Sequence, residues 1–205
     1  DIRVLDEQTC DPVAHIFDRV LRVRRRDRSR QHLDHHAHDV VVDRLDEAGL
    51  RLEMVLHQPE RNAGVRGDTS AGGLRRLDAL LAGKPEIVVL ALGANDGLRG
   101  VDADVVTRNL SQIIDRATAR GAKVLLCGMD APPLHGWQYT LAFHQVFPDV
   151  AAKYHVPLVP FLLQGVALNP EMNGEDLIHP NAAGARQIAE TVWPYLEPML
   201  APVTR

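Results

Sequence analysis

Two stretches, EIVVLALG (86–93) and KVLLCGM (123–129), are almost unbroken apolar runs that end in a glycine or a turn. A strand that is apolar on both faces must be covered on both, and in a domain of ordinary size this calls for a parallel sheet between layers of helix. VPLVPF (156–161) is a third run of this kind. The sequence between the runs supplies the helices. Val106, Leu110, Ile113, Ile114 and Ala117 fall at i, i+4, i+7, i+8 and i+11, one apolar stripe on a helix that Gly121 can close. Ile188, Ala189, Val192, Trp193 and Leu196 repeat the stripe later. Leu74, Leu77 and Leu81 mark an earlier helix, opened by Asp68 and Thr69 and stopped by Gly83 and Pro85. From about Arg44 onward the chain therefore reads as an α/β fold on a parallel sheet.

Its 205 residues are enough for one complete domain with its own core, and too few for two. Only 4% are aromatic, which leaves that core to Leu, Val and Ala. The net charge of -4 speaks against nucleic acid as a partner. Cys10 and Cys127 are the only cysteines, too few for a disulfide framework or a thiolate metal site. No run approaches the roughly 18 apolar residues of a membrane span. Stable membrane insertion is not expected, and no secretory signal is recognisable.

Residues 1 to 43 do not share this rhythm. Seven arginines fall within residues 19 to 30 and four histidines between 32 and 38, without a clear period. Acids nearly offset the arginines, so the stretch does not read as a basic nucleic-acid arm. His32, His35, His36 and His38 match no zinc-ligand spacing, and a solvated run accounts for them better than a metal site. The VVV at 40–42 is a short strand candidate.

Three stretches carry chemistry. In GEDLIHPNAAG (174–184), Asp176 lies three residues before His179. On a loop, such a carboxylate can accept the Nδ1 proton and fix the tautomer, leaving Nε2 free as a general base. Pro180 suits a first helical turn, so His179 is expected to project from a helix start. A chance pairing on a surface loop is the other reading of a bare D-x-x-H. In LALGANDGLRG (90–100), an apolar strand breaks into a turn holding Asn95, whose neutral amide can donate to a developing oxyanion. A turn using Asn95 and Asp96 for local hydrogen bonds is the alternative. NAGVRGDTSAGG (62–73) offers backbone N–H groups at a helix start, though it lacks the lysine of a phosphate loop.

In this order and at these distances, the three stretches resemble the SGNH or GDSL hydrolases, in particular the bacterial arylesterase, thioesterase and lysophospholipase group. The resemblance runs from about Arg44 to Leu200 and takes in RLDEAGLRLE, the segment GDTSAGG through GANDGLRG, APP at 131–133, FPDVAAKYHVPLVPF and GEDLIHPNAAG. It implies a three-layer, flavodoxin-like α/β fold and cofactor-free, metal-free acyl transfer on a small-molecule ester or thioester. On its motifs Gly67 and Asn95 match the oxyanion-hole donors, and Asp176 and His179 the acid and base. Members of the family are commonly periplasmic or secreted.

The family's nucleophile lies in a Gly-Asp-Ser motif just after the first strand, and this chain has no such motif. Its only serines are Ser29, Ser70 and Ser111. Ser29 sits in the arginine run and Ser111 inside a helix, which leaves Ser70 as the one nucleophile candidate, with a role in capping or lining the following helix as its alternative. Arg66 also stands where the family has a small residue. The expectation is a hydrolase domain over 44–205 that lacks its first strand and its nucleophile motif, so that ester hydrolysis is impaired. An out-of-frame stretch of a GC-rich coding region would account at once for the Arg and His excess and for the lost motif. It requires that another frame restore a strand followed by Gly-Asp-Ser. The other account is a diverged homologue that binds acyl ligands without turning them over.

Overall fold

The structure is a computed structural model that describes residues 2–6, 40–45, 51–56 and 61–200, with side chains from residue 63 onward. Cys10, Ser29 and the histidines at 32–38 lie outside the described residues.

Among the described residues, seven strands and five α-helices follow one another as β1 (Ile2–Asp6), β2 (Val40–Leu45), β3 (Arg51–Leu56), β4 (Arg61–Asn62), α1 (Ser70–Leu81), β5 (Ile87–Ala91), α2 (Ala94–Arg99), α3 (Ala103–Ala119), β6 (Lys123–Cys127), α4 (Trp137–Tyr154), β7 (Leu158–Val159) and α5 (Ala182–Leu200). Five strands form one sheet in the order β4-β1-β5-β6-β7, and every pairing in it is parallel. All five residues of β5 are buried. Because successive side chains point to opposite faces, both faces of the sheet are covered, as the apolar runs predict.

Each predicted helix forms. The stripe of Val106, Leu110, Ile113, Ile114 and Ala117 is fully buried on α3, and burial of each large aliphatic side chain there contributes about 1.5–3 kcal/mol. Thr69 caps α1, its hydroxyl accepting from the Gly72 N–H.

Two features differ from the expectation. Helix α4 is not legible in the sequence because Pro148 lies within it. A proline there removes an intrahelical donor, but it sits on the exposed face, opposite the buried Phe143, Val146, Phe147 and Val150. The second concerns the sheet. A domain confined to 44–205 leaves its first-strand place to be filled from upstream, and Ile2–Asp6 fills it, with Val4 opposite Val89 and Leu5 opposite Leu90. Residues 40–45, including VVV, pair antiparallel with β3 in a two-stranded sheet of their own.

In a parallel sheet all carboxyl ends open on one edge, where open α/β folds bind ligands. The chain leaves β4, β5, β6 and β7 on that edge, leading into Gly67, Asn95, Asp130 and the 160–181 loop respectively.

Candidate active site

Asp176 and His179 meet as their spacing predicts. His179 Nδ1 lies 2.5 Å from Asp176 Oδ2, so the neutral ring carries its proton on Nδ1 and leaves Nε2 as the basic nitrogen. The other carboxylate oxygen accepts the backbone N–H of Ile178 at 3.0 Å and of His179 at 2.9 Å. The His179 N–H, then the His179 ring, then the Ile178 N–H hold the Asp176 carboxyl well below the usual carboxylate range. Both side chains remain partly open, at 41% exposure for His179 and 48% for Asp176.

The loop around this pair is closed on itself. Gly174 N–H donates to the His179 carbonyl at 2.8 Å, and Asn181 N–H to the Met172 carbonyl at 2.9 Å. Asn181 Oδ1 accepts from Ala183 and Gly184 at the start of α5, while its amide reaches the carbonyls of Glu171 and Asn173. Met172 passes so close to α5 that a Cβ on Gly184 would lie 2.0 Å from the Met172 carbonyl oxygen. Only glycine allows that approach.

The second group of candidate residues lies on a pair of braced elements. Gly67, at φ +74°, occupies the third position of a turn closed by Asp68 N–H to the Val65 carbonyl at 3.1 Å, a conformation that favours glycine. Asn95 is the second residue of α2, half-buried just past β5. Two cross-links hold these elements together. Arg99, at the end of α2, donates from Nη2 to the Gly67 carbonyl at 2.9 Å. Asp96, 1% exposed, accepts the Ser70 N–H at 2.8 Å and the Ser70 hydroxyl at 2.7 Å. From the other side Tyr139 donates to the Val101 carbonyl at 2.8 Å and His135 Nε2 to the Leu98 carbonyl at 3.1 Å. Burial, followed by the Asp96 and Asp102 carboxylates, raises the Tyr139 phenol above its ordinary pKa and keeps it a donor.

Ser70 is therefore fully buried and fully engaged: its hydroxyl donates to Asp96 and accepts from the Asn109 amide at 2.9 Å. Neither partner is a histidine. Ser70 is the first residue of α1, next to its cap Thr69, and lines the helix start. Ser111 is buried within α3.

A second carboxylate–histidine pair is not visible in the sequence. His144 Nδ1, on α4, lies 2.7 Å from Asp130 Oδ1, just beyond β6. Fourteen residues separate the two, and only the docking of α4 brings them together. Among the described residues no group of three or more His, Cys, Asp and Glu gathers as a metal site. No described helix is long and apolar enough to cross a membrane.

The fold and the site define an α/β framework of the hydrolase type, with its polar groups on loops at the carboxyl edge of a parallel sheet. A model of the GDSL-like lipase/acylhydrolase family matches residues 25–187, and the chain belongs to that family. The chain is similar to Esterase TesA of Pseudomonas aeruginosa, 49% identical over 140 residues that cover 68% of this chain and 70% of the relative. It is 39% identical over 140 residues to Thioesterase 1/protease 1/lysophospholipase L1 of Escherichia coli, covering 68% of this chain and 67% of that one. A crystal structure of TesA superposes with a TM-score of 0.72 at 35% identity, over 97% of this chain and 98% of the other. The three-layer α/β fold expected from the motifs is the fold of these neighbours.

Proposed function

We propose that this chain is a carboxylic ester or thioester hydrolase of the arylesterase and lysophospholipase type, working by acyl transfer with reduced turnover. The carrying observation is the Asp176–His179 pair, with Nδ1 engaged and Nε2 available. In such a reaction a nucleophile attacks the acyl carbonyl while His179 Nε2 takes its proton, Asp176 stabilises the imidazolium, and His179 returns the proton to the leaving group. Gly67 N–H and the Asn95 amide receive the oxyanion, and the cross-links through Arg99 and Asp96 support these roles because a preorganised donor need not reorganise during the reaction. The engagement of the Ser70 hydroxyl by Asp96 and Asn109 argues against it as the nucleophile.

Beyond Asp6 the sequence reads Glu7, Gln8, Thr9, Cys10 in place of Gly-Asp-Ser. That departure favours a second reading, an acyl-ligand-binding protein without turnover. Hydrolysis of p-nitrophenyl butyrate by the full chain separates the two. Release of nitrophenolate above the blank is expected, and a rate equal to the blank would leave only the binding reading.

A further inference from the structure

The exposed apolar side chains are not spread over the surface. Among the described residues, every large one lies in a connection that leaves the carboxyl end of a strand, or in the first turns of the helix it enters. Val65 follows β4, Leu98 follows β5, Leu134, Trp137 and Leu141 follow β6, and the remainder follow β7. The opposite edge, where helices return to strands, exposes Lys84, Glu86, Arg120 and Lys123 instead. Single exposed leucines need no explanation, but their collection on one edge marks an interaction surface.

Four of them adjoin. Trp137 and Leu141, 70% and 64% exposed, stand four residues apart on α4 and share a face. Leu134, 70% exposed, lies in the 3-10 turn Pro133–His135 that leads into that helix. The turn rests on α2, with His135 Nε2 3.1 Å from the Leu98 carbonyl. Beside Leu98, Arg99 reaches the Gly67 carbonyl, next to Arg66 and Val65. Neither Arg66 nor Arg99 meets a carboxylate among the described residues. The nearer acids are engaged, Asp102 in capping α3 and Asp130 with His144, and Glu171 and Glu175 lie on the loop that follows β7.

We propose that this face, with Leu98, Leu134, Trp137 and Leu141 at its centre and Arg66 and Arg99 at its border, docks onto the surface of an anionic phospholipid bilayer. The contact is peripheral. The apolar side chains enter the headgroup layer, which suits both the apolar body and the polar N–H of an indole, and the arginines meet lipid charge. A second copy of the chain would bring the same unpaired arginines to the contact, whereas an anionic surface neutralises them. Docking needs no turnover, so it goes beyond the hydrolase reading and does not depend on it.

Sedimentation of the full chain with vesicles of phosphatidylcholine and phosphatidylglycerol, read together with tryptophan emission, tests this. The chain is expected to sediment with these vesicles, far less with phosphatidylcholine alone, and its emission to move to shorter wavelength. Trp137→Phe should still sediment but lose the shift, because Trp193, the other tryptophan, already packs against the core. Leu134→Ser combined with Leu141→Ser should weaken partition by about tenfold or more, and Arg66→Gln by about fivefold. Their melting temperatures should hold, since all three side chains are exposed. No sedimentation, equal binding to neutral vesicles, or a shift that persists in Trp137→Phe would each overturn the proposal. So would lipid-free dimerisation abolished by the paired serine substitutions, which assigns the face to a second copy. Vesicle binding without ester hydrolysis leaves this proposal standing while the hydrolase reading fails, and hydrolysis without vesicle binding does the reverse.

Discussion

His179 and His144 each place Nδ1 against an aspartate, at 2.5 and 2.7 Å, with their side chains about half exposed. By distance alone the two pairs are equivalent, and as exposed contacts each contributes little to stability. Their surroundings differ. Asp176 takes the ring and two backbone N–H groups inside a loop closed at both ends. Asp130 accepts the ring alone among the described residues, across a contact between a strand end and a helix. A backbone that grips the acid keeps it ionised and fixes where the imidazole points. A contact between two exposed side chains without such backbone bonds does neither. The contrast supports the proposal of His179, not His144, as the base.

The sharpest way to break that contrast is by deletion. His179→Ala is expected to lower p-nitrophenyl butyrate hydrolysis by about 10³-fold or more, while His144→Ala leaves the rate within about twofold. Equal effects from both would erase the distinction, and a rate indifferent to His179 would show that no hydroxyl is being activated. Asn95→Ala should reduce kcat by about 10²-fold with little change in KM, as for a donor that acts mainly in the transition state. A change confined to KM would count against it.

The loop itself comes next. Gly184→Ala forces a Cβ against the Met172 carbonyl and is expected to cost about 1–3 kcal/mol. Thermal melting should show a loss of several degrees, with the His144–Asp130 contact untouched. The smallest effect concerns acid. Because the Asp176 carboxyl is depressed in the folded state, its stabilising contribution is present above about pH 4, the ordinary carboxylate value, and is lost as pH falls through the lower folded value. The margin of the unsubstituted chain over Asp176→Asn in melting temperature should hold steady at neutral pH and shrink only below about pH 4. A margin independent of pH would contradict the loop's grip on the acid.

What could be read from the sequence was what depends on neighbours a few residues apart. The stripe on α3, the runs of β5 and β6, and the Asp176–His179 spacing all have a period or a fixed offset. The features that escaped depend on distant partners. Ser70 shows as a hydroxyl at a helix start, and nothing local reveals that Asp96, 26 residues on, claims it. Helix α4 carries a sound apolar stripe, but Pro148 argues against a helix until one sees that its missing donor lies on the solvent side. Strand β1 is five residues long and leads into an aperiodic stretch, and its place becomes evident only beside β5.

The closed loop also bears on ancestry. Among the described residues, the hydrogen bonds that directly hold Asp176 to His179 lie within residues 174–179, so the couple is set by its own short loop. Asn181 and Gly184 also seat the start of α5, so the same loop serves the fold as well as the couple. A couple set by so short a loop is expected to keep its geometry in relatives that differ elsewhere in the sequence.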